Sequence, residues 1–159
     1  MTVIFEMQFS VSRSLSSNLN FYHSAKPQGT DLRQRIEAGY QVILNHESSL
    51  TNRFLAGAKT IPGLKIYGNK EFDSTLNKKR TPTFALRMNC FTTATELAEK
   101  LVEQKIIAGA GHFYAKYFAE GLNLMSSGGY VRIGFVHYNT LDEIDKVLTV
   151  LSDISAKFS

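Results

Sequence analysis

The sequence predicts an α+β fold in which helices pack on one face of a small, largely antiparallel sheet. Two observations carry this prediction: one long segment has apolar residues at helical spacing, and two later segments alternate between apolar and polar residues. Capping-box spacing then marks the start of two further helices. The predicted order is helix, strand, strand, helix, strand, helix, strand, helix, which is typical of a two-layer sandwich.

The long helix is predicted from Asp31 to about Ala58 and would be about 40 Å long at 1.5 Å per residue. Its apolar positions are Leu32, Ile36, Tyr40, Ile43, Leu50 and Phe54. Gly57 and the Pro62-Gly63 turn predict its end, and a short strand is expected at 64–67. A helix of this length needs a partner surface.

Two strands share a polar face. In the segment Thr81–Met88, apolar residues alternate with polar ones, and Arg87 points away from the predicted core. In the later strand, Val131 and its alternate neighbours point to the core, whereas Arg132 lies on the opposite face. The face that carries Thr83, Arg87 and Arg132 is expected to meet solvent or another domain.

The remaining elements are shorter. Thr93 with Glu96, and Thr140 with Glu143, have the spacing of a capping box and predict helix starts. A small strand is expected at Ile106 and Ile107, and a helix from His112 to Leu122.

Composition indicates one domain. The chain has 159 residues, of which 43% are hydrophobic and 20% charged, with a net charge of +4. We expect residues 1–30 to form a short strand or a leader of uncertain order, and residues 31–159 to form the domain. The basic run at 78–80 lacks interleaved aromatic residues, so no nucleic-acid partner is expected. The first residues do not resemble a secretory signal, and no apolar stretch is long enough to cross a membrane.

Nucleophilic and metal chemistry are not expected. Cys90 is the single cysteine, which fits a reducing compartment such as the cytoplasm, and it is expected to close a strand with no base beside it. His46 precedes a glutamate, but Leu50 stands where a zinc-binding helix needs its second histidine. The other histidines are dispersed, so we predict no metal site and no catalytic residue in this chain.

Arg132 is the strongest candidate for a binding residue. Burying a guanidinium costs several kcal/mol unless a carboxylate or phosphate pairs with it. Two interpretations follow: an ion pair with an Asp or Glu of the same domain, or a ligand carboxylate.

Three separated motifs and the long helix resemble the C-terminal small domain of cysteine desulfurase-like proteins. The motifs are RTPTFA at 80–85, GHFYA at 111–115, and VRIG through HYNT at 131–140, and the helix carries NHE at 45–47. The resemblance covers about residues 31–156. These proteins are class V aminotransferases, which are pyridoxal phosphate (PLP) enzymes of fold type I. The resemblance implies that Arg132 holds the α-carboxylate of an amino-acid substrate. For His112 it leaves two roles open, lining the pocket or a structural role in its loop.

Two departures from the family bear on activity. In cysteine desulfurases this loop has the sequence Gly-His-His-Cys, whereas this chain has Phe113 and Tyr114 at the last two positions. The lysine that forms the PLP Schiff base in the family has no counterpart in this chain. We therefore expect the chain to bind no cofactor alone and to be inactive alone. A truncated or split protein would explain this, with a separately encoded large PLP-binding domain as partner. Homodimers are usual in the family.

Two interpretations from other functional classes stay open. The domain could act alone as an interaction or anion-binding module that uses the same polar face. It could also be a non-functional gene remnant, whose exposed face would favour aggregation.

Overall fold

A computed structural model describes residues 31–70 and 80–158. The helices and strands of these residues occur in the predicted order and are as follows. The helices are α1 (Leu32–Ala58), α2 (Ala94–Glu103), α3 (Lys116–Gly121) and α4 (Leu141–Phe158), and the strands are β1 (Leu64–Tyr67), β2 (Thr83–Met88), β3 (Gly109–Gly111) and β4 (Tyr130–Gly134). The predicted leader at 1–30 and most of the basic run at 78–80 lie outside the described residues.

The strands form an open antiparallel sheet with the spatial order β1-β2-β4-β3. This confirms the α+β class and the antiparallel sheet. In the register, Arg132 of β4 lies between Ala85 of β2 and Gly109 of β3. Its two cross-strand neighbours therefore have the smallest side chains available.

Helices α1, α2 and α4 pack on one face of the sheet, as predicted. Phe84 of β2, Phe54 of α1 and Phe135 after β4 are each at most 1% exposed and meet as a tilted aromatic cluster. The ring centres of Phe54 and Phe84 are 4.4 Å apart. Aromatic pairs in such tilted arrangements add to the stabilisation from buried area. The alternating pattern thus placed the core face of both strands correctly.

The two longest helices contact each other beside this core. A Cβ atom at Gly57 of α1 would overlap the side chain of Leu148 of α4, so the glycine permits close approach. Arg53 donates two hydrogen bonds to the Asp145 carboxylate, at 2.6 and 2.9 Å. Both side chains are exposed, so this ion pair aligns the helices more than it stabilises them.

Both predicted capping boxes are present. The Thr93 hydroxyl accepts a hydrogen bond from the Glu96 amide, and the Glu96 carboxylate accepts one from the Thr93 amide. The Thr140 hydroxyl and the Glu143 carboxylate form the same reciprocal pair at the start of α4. Each cap satisfies amide groups that a helix leaves without internal partners.

The first half of α1 extends beyond the core. All of its fully buried residues lie at or after Leu50. Leu32, Ile36 and Tyr40 follow at four-residue spacing on one face, and they are 68%, 49% and 63% exposed. Within the described ranges, no helix is long and apolar enough to cross a membrane.

Two predicted elements are wrong in position. Ile106 and Ile107 are not a strand: Lys105 has a positive φ of 61°, and the Ile106 amide donates to the Leu101 carbonyl. This arrangement ends α2 and buries Ile106 in the core, so the strand begins only at Gly109. The helix expected from His112 starts instead at Lys116, because residues 112–115 form a tight turn.

Candidate functional site

Arg132 lines a groove between α2 and the segment 108–114. The groove has a volume of about 990 Å³. Gly109, which pairs with Arg132 in the sheet register, also lines the groove. Val131 and Ile133 point to the core and orient Arg132 to the opposite face.

The Arg132 guanidinium contacts an aromatic ring and forms no ion pair within the described residues. Its central carbon lies 4.3 Å from the centre of the Phe113 ring. The ion pairs of residues 31–70 and 80–158 all involve other side chains. An internal salt bridge, the first of the two interpretations, is therefore not formed with any described carboxylate. The N–H donors of the half-buried Arg132 face the groove region without a protein acceptor in this part of the chain.

Arg87, on the same face of the sheet, has a different environment. Its guanidinium donates to the backbone carbonyls of Ser127, Gly129 and Thr92 at 2.9, 3.2 and 2.7 Å. A longer contact of 3.5 Å joins it to the Phe91 carbonyl. Arg87 therefore anchors the loop before β4 and is not available to a ligand.

The face predicted to be open is partly covered. Ala119 and Leu124, in and after α3, pack against Tyr130 of β4 and form a second small apolar cluster. Phe113 and Ala85 contact the same cluster. Burial raises the pKa of the Tyr130 hydroxyl, which donates to the His112 carbonyl at 3.3 Å. The face expected to meet solvent or another domain is thus partly covered by the chain's own segment 112–129.

His112, the second predicted site residue, begins the tight turn at the edge of the groove. Its carbonyl accepts a hydrogen bond from the Ala115 amide at 2.8 Å. The central residues Phe113 and Tyr114 have φ angles of 48° and 63°. Positive φ at both positions is the pattern of a type I′ turn, which favours Asn and Gly. In residues with a Cβ atom it costs roughly 1–2 kcal/mol each.

His112 lines the same groove as Arg132, and its side chain is exposed. The structure thus brings the two predicted binding residues to one groove.

A second polar cluster joins two of the motifs that were separate in sequence. His46 of α1 lies 2.8 Å from the Asn139 carbonyl, which can only accept, so the ring nitrogen carries the proton. The buried Asn139 side chain binds the Val136 amide and the Glu143 carboxylate. Burial raises the pKa of Glu47, although His137 and His46 nearby oppose the shift. This cluster connects the middle of α1 to the start of α4.

Nucleophile and cofactor chemistry find little support in the described residues. Cys90 lies in the turn after β2, not at its end, and burial raises the pKa of its thiol, which disfavours the thiolate. No group of three or more ligands in these ranges could hold a metal ion. No lysine lines the groove. A PLP Schiff base requires a lysine amine, which the described lining of this groove does not supply.

Two acidic residues on the groove were not identified from the sequence. Glu99 and Glu103 of α2 line it together with Thr95 and Val102. Their four-residue spacing places both on one helix face, which was the only available signal. That this face would border Arg132 depends on how α2 crosses the sheet.

Comparison with known proteins identifies the class. The family model for class V aminotransferases matches residues 31–147. The chain belongs to this family. A curated relative is the aminotransferase-like protein FGM3 of Gibberella zeae, which is 28% identical over 114 residues. That match covers 70% of this chain but 27% of the relative.

Solved structures share the fold. A cysteine desulfurase from Thermococcus onnurineus NA1 superimposes with a TM-score of 0.66 at 22% identity, covering 79% of this chain and 29% of that protein. The cysteine desulfurase CsdA of Escherichia coli gives a TM-score of 0.57 at 16% identity, covering 81% and 32%. A NifS-like protein gives 0.56 at 20% identity, covering 79% and 32%. The chain thus spans about a third or less of the length of these relatives.

Proposed function

We propose that this chain supplies the small, substrate-recognising domain of a cysteine desulfurase-like PLP protein, and that Arg132 binds the carboxylate of its amino-acid substrate. The PLP-binding domain would lie outside these 159 residues, as expected for a split or truncated protein. One observation carries the proposal: within the described residues, Arg132 is half-buried beside a groove and has no anionic partner.

The chemistry of the guanidinium supports a carboxylate ligand. Its planar N–H donors match the two oxygens of a carboxylate, and such charged hydrogen bonds are about twice as strong as neutral ones. The groove beside Arg132, about 990 Å³ in volume, leaves room for the anion. His112 at the turn is a second candidate contact, since it lines the same groove.

Exposed apolar surfaces support a partner domain. The first half of α1 exposes Leu32, Ile36 and Tyr40, and the α3 segment exposes Tyr117 and Phe118. Apolar patches of this kind mark interaction sites in soluble proteins. The relatives extend well beyond the part that this chain matches, and that further part supplies the candidate occupant, a PLP-binding domain.

The test is reconstitution. The chain is co-expressed with its PLP-binding domain, and amino-acid binding is followed through the absorbance of the cofactor. We expect Arg132→Gln to weaken binding roughly 30-fold or more, as for loss of one partner of a buried charged pair. Arg53→Gln, which alters only an exposed ion pair, should leave binding within about twofold. Equal binding by the Arg132→Gln complex would refute the proposal.

A further inference from the structure

The turn beside Arg132 holds an aromatic residue in a conformation that L-residues rarely adopt. Phe113 and Tyr114 both have positive φ, and the turn is closed by the hydrogen bond from Ala115 to His112. Strain of this kind persists only where surrounding contacts compensate for it, and it concentrates at functional sites. The contacts of the Phe113 ring therefore indicate what the turn is for.

The ring of Phe113 is packed from several sides. It covers the Arg132 guanidinium at 4.3 Å, and its centre lies 5.6 Å from that of the Tyr130 ring. A Cβ atom at Gly109 would lie 3.1 Å from two of its ring carbons, so a side chain there would force the ring to shift by a few tenths of an ångström. Phe113 thus fixes one face of the guanidinium and shields that face from water.

The groove beyond the ring is largely apolar. Besides Arg132, it is lined by Ala98, Val102, Ala108, Ala110 and Phe113. Its volume of about 990 Å³ is at the upper end of the ~300–1,000 Å³ usual for small-molecule sites. Glu99 and Glu103 also line it; Glu103 is paired with Lys100 at 2.6 Å, so it is mainly Glu99 whose charge would repel a second carboxylate on the ligand. Space, apolar walls and acidic residues together favour a monocarboxylate with a large apolar side chain.

We propose that Phe113 is a selectivity-determining residue, which makes the Arg132 site prefer monocarboxylates with a large apolar side chain, such as aromatic amino or 2-oxo acids, over cysteine-sized ones. This inference rests on the proposed function, because Arg132 must hold the carboxylate. The ring acts in two ways: it orients the guanidinium, and it supplies apolar surface beside the bound head group.

The test compares two ligands that share a head group. Phenylpyruvate and pyruvate are titrated into the full chain, and affinities are measured from NMR amide shifts. We expect the wild-type chain to bind phenylpyruvate about tenfold more tightly, from contact of the phenyl group with the apolar wall. Phe113→Ala should reduce this preference to about twofold or less, and Phe113→Leu, which keeps apolar bulk, to about threefold.

Phe158→Ala is the matched control, because Phe158 is a partly exposed aromatic residue that contacts Phe91, with ring centres 5.4 Å apart, but does not line the groove. It should keep the tenfold preference. A purely structural role for Phe113 would lower the urea midpoint of its variants without changing the ratio of the two affinities. An unchanged ratio in folded Phe113→Leu therefore overturns the inference.

An Arg132→Gln chain separates this inference from the proposed function. If that change abolishes binding of both ligands while the ratio is insensitive to Phe113, only the selectivity inference fails. If it leaves both affinities unchanged, or if the wild-type chain binds neither ligand, the proposed function fails as well.

Discussion

The guanidinium carbon of Arg132 lies over the ring of Phe113, 4.3 Å from the ring centre. The contact replaces water on one side of the cation and leaves its N–H edge for a ligand. Gly109 makes space for both residues, because it lies opposite Arg132 in the sheet and its lack of a side chain accommodates the Phe113 ring.

The two arginines on this face should differ in their effect on stability. Arg87→Met leaves three close backbone carbonyls without their donor, so we expect the free energy of unfolding to fall by about 2–4 kcal/mol. Arg132→Gln removes no protein hydrogen bond of the described residues and should change it by less than about 1 kcal/mol. Urea denaturation of both variants measures this. Comparable losses would mean that Arg132 is also structural.

Adjacent glycines before β4 provide a steric test. A Cβ atom at Gly129 would overlap the backbone carbonyl of Gly111, so Gly129→Ala should cost about 3 kcal/mol or more. At Gly128 the nearest atom is 3.9 Å away, and alanine there incurs only left-handed strain of about 1 kcal/mol. Thermal melting of the two variants distinguishes the positions. Equal losses of stability would show that the backbone at Gly111 can shift to accommodate a methyl group at position 129.

Glu47 should make stability depend on pH. Burial raises its pKa above the ordinary 4.5, so the folded state binds the proton more tightly than the unfolded state. Stability is then lost as pH rises from about 4.5 through the raised pKa, and Glu47→Gln lacks this loss. The urea midpoint of the variant, relative to wild type, should increase from pH 4 to pH 7.

Asp145 is the control of opposite sign. The Arg53 hydrogen bond lowers the pKa of this carboxyl, so its contribution is present at neutral pH and lost as pH falls through the lowered value. Asp145→Asn should therefore lose stability relative to wild type as pH rises to about 3.8, the ordinary value of this carboxyl, and should change little relative to wild type from pH 4 to pH 7. If both variants follow the same trend, the assigned causes are incorrect.

The exposed face of α1 should matter for assembly and not for folding. Replacing Ile36 and Tyr40 with serine removes exposed apolar surface, so the melting temperature of the isolated chain should change little. Association with the PLP-binding domain, measured by co-purification and calorimetry, should weaken. Asp153→Ser, an exposed change on α4, serves as control. Undiminished association would place the interface elsewhere, and a weakened self-association would indicate a homodimer through α1.

The sequence predicted the fold well where local patterns determine it. The strand around Arg132 and the two capping boxes, at Thr93 and Thr140, are each specified by residues close together in the sequence. The structure contains all three. The errors arose where the backbone conformation depends on contacts between residues that are far apart in the sequence. Ile106 has strand-forming character, but the left-handed Lys105 turns it into the core.

The candidate site was predicted in part. Arg132 and His112 could be named from motifs, and the structure brings both to one groove. That Arg87 binds backbone carbonyls, and that Phe113 stacks on Arg132, depends on the path of residues 112–129, which no local pattern specifies.

Carboxylate binding by Arg132 can be observed directly at its side-chain Nε–H resonance in ¹⁵N NMR. Titration with phenylpyruvate should shift this resonance in a saturable way, and the uncharged amide of the same acid should leave it nearly unchanged. A resonance that is insensitive to the acid, or that shifts equally with acid and amide, would contradict the assignment of Arg132 as the carboxylate-binding residue.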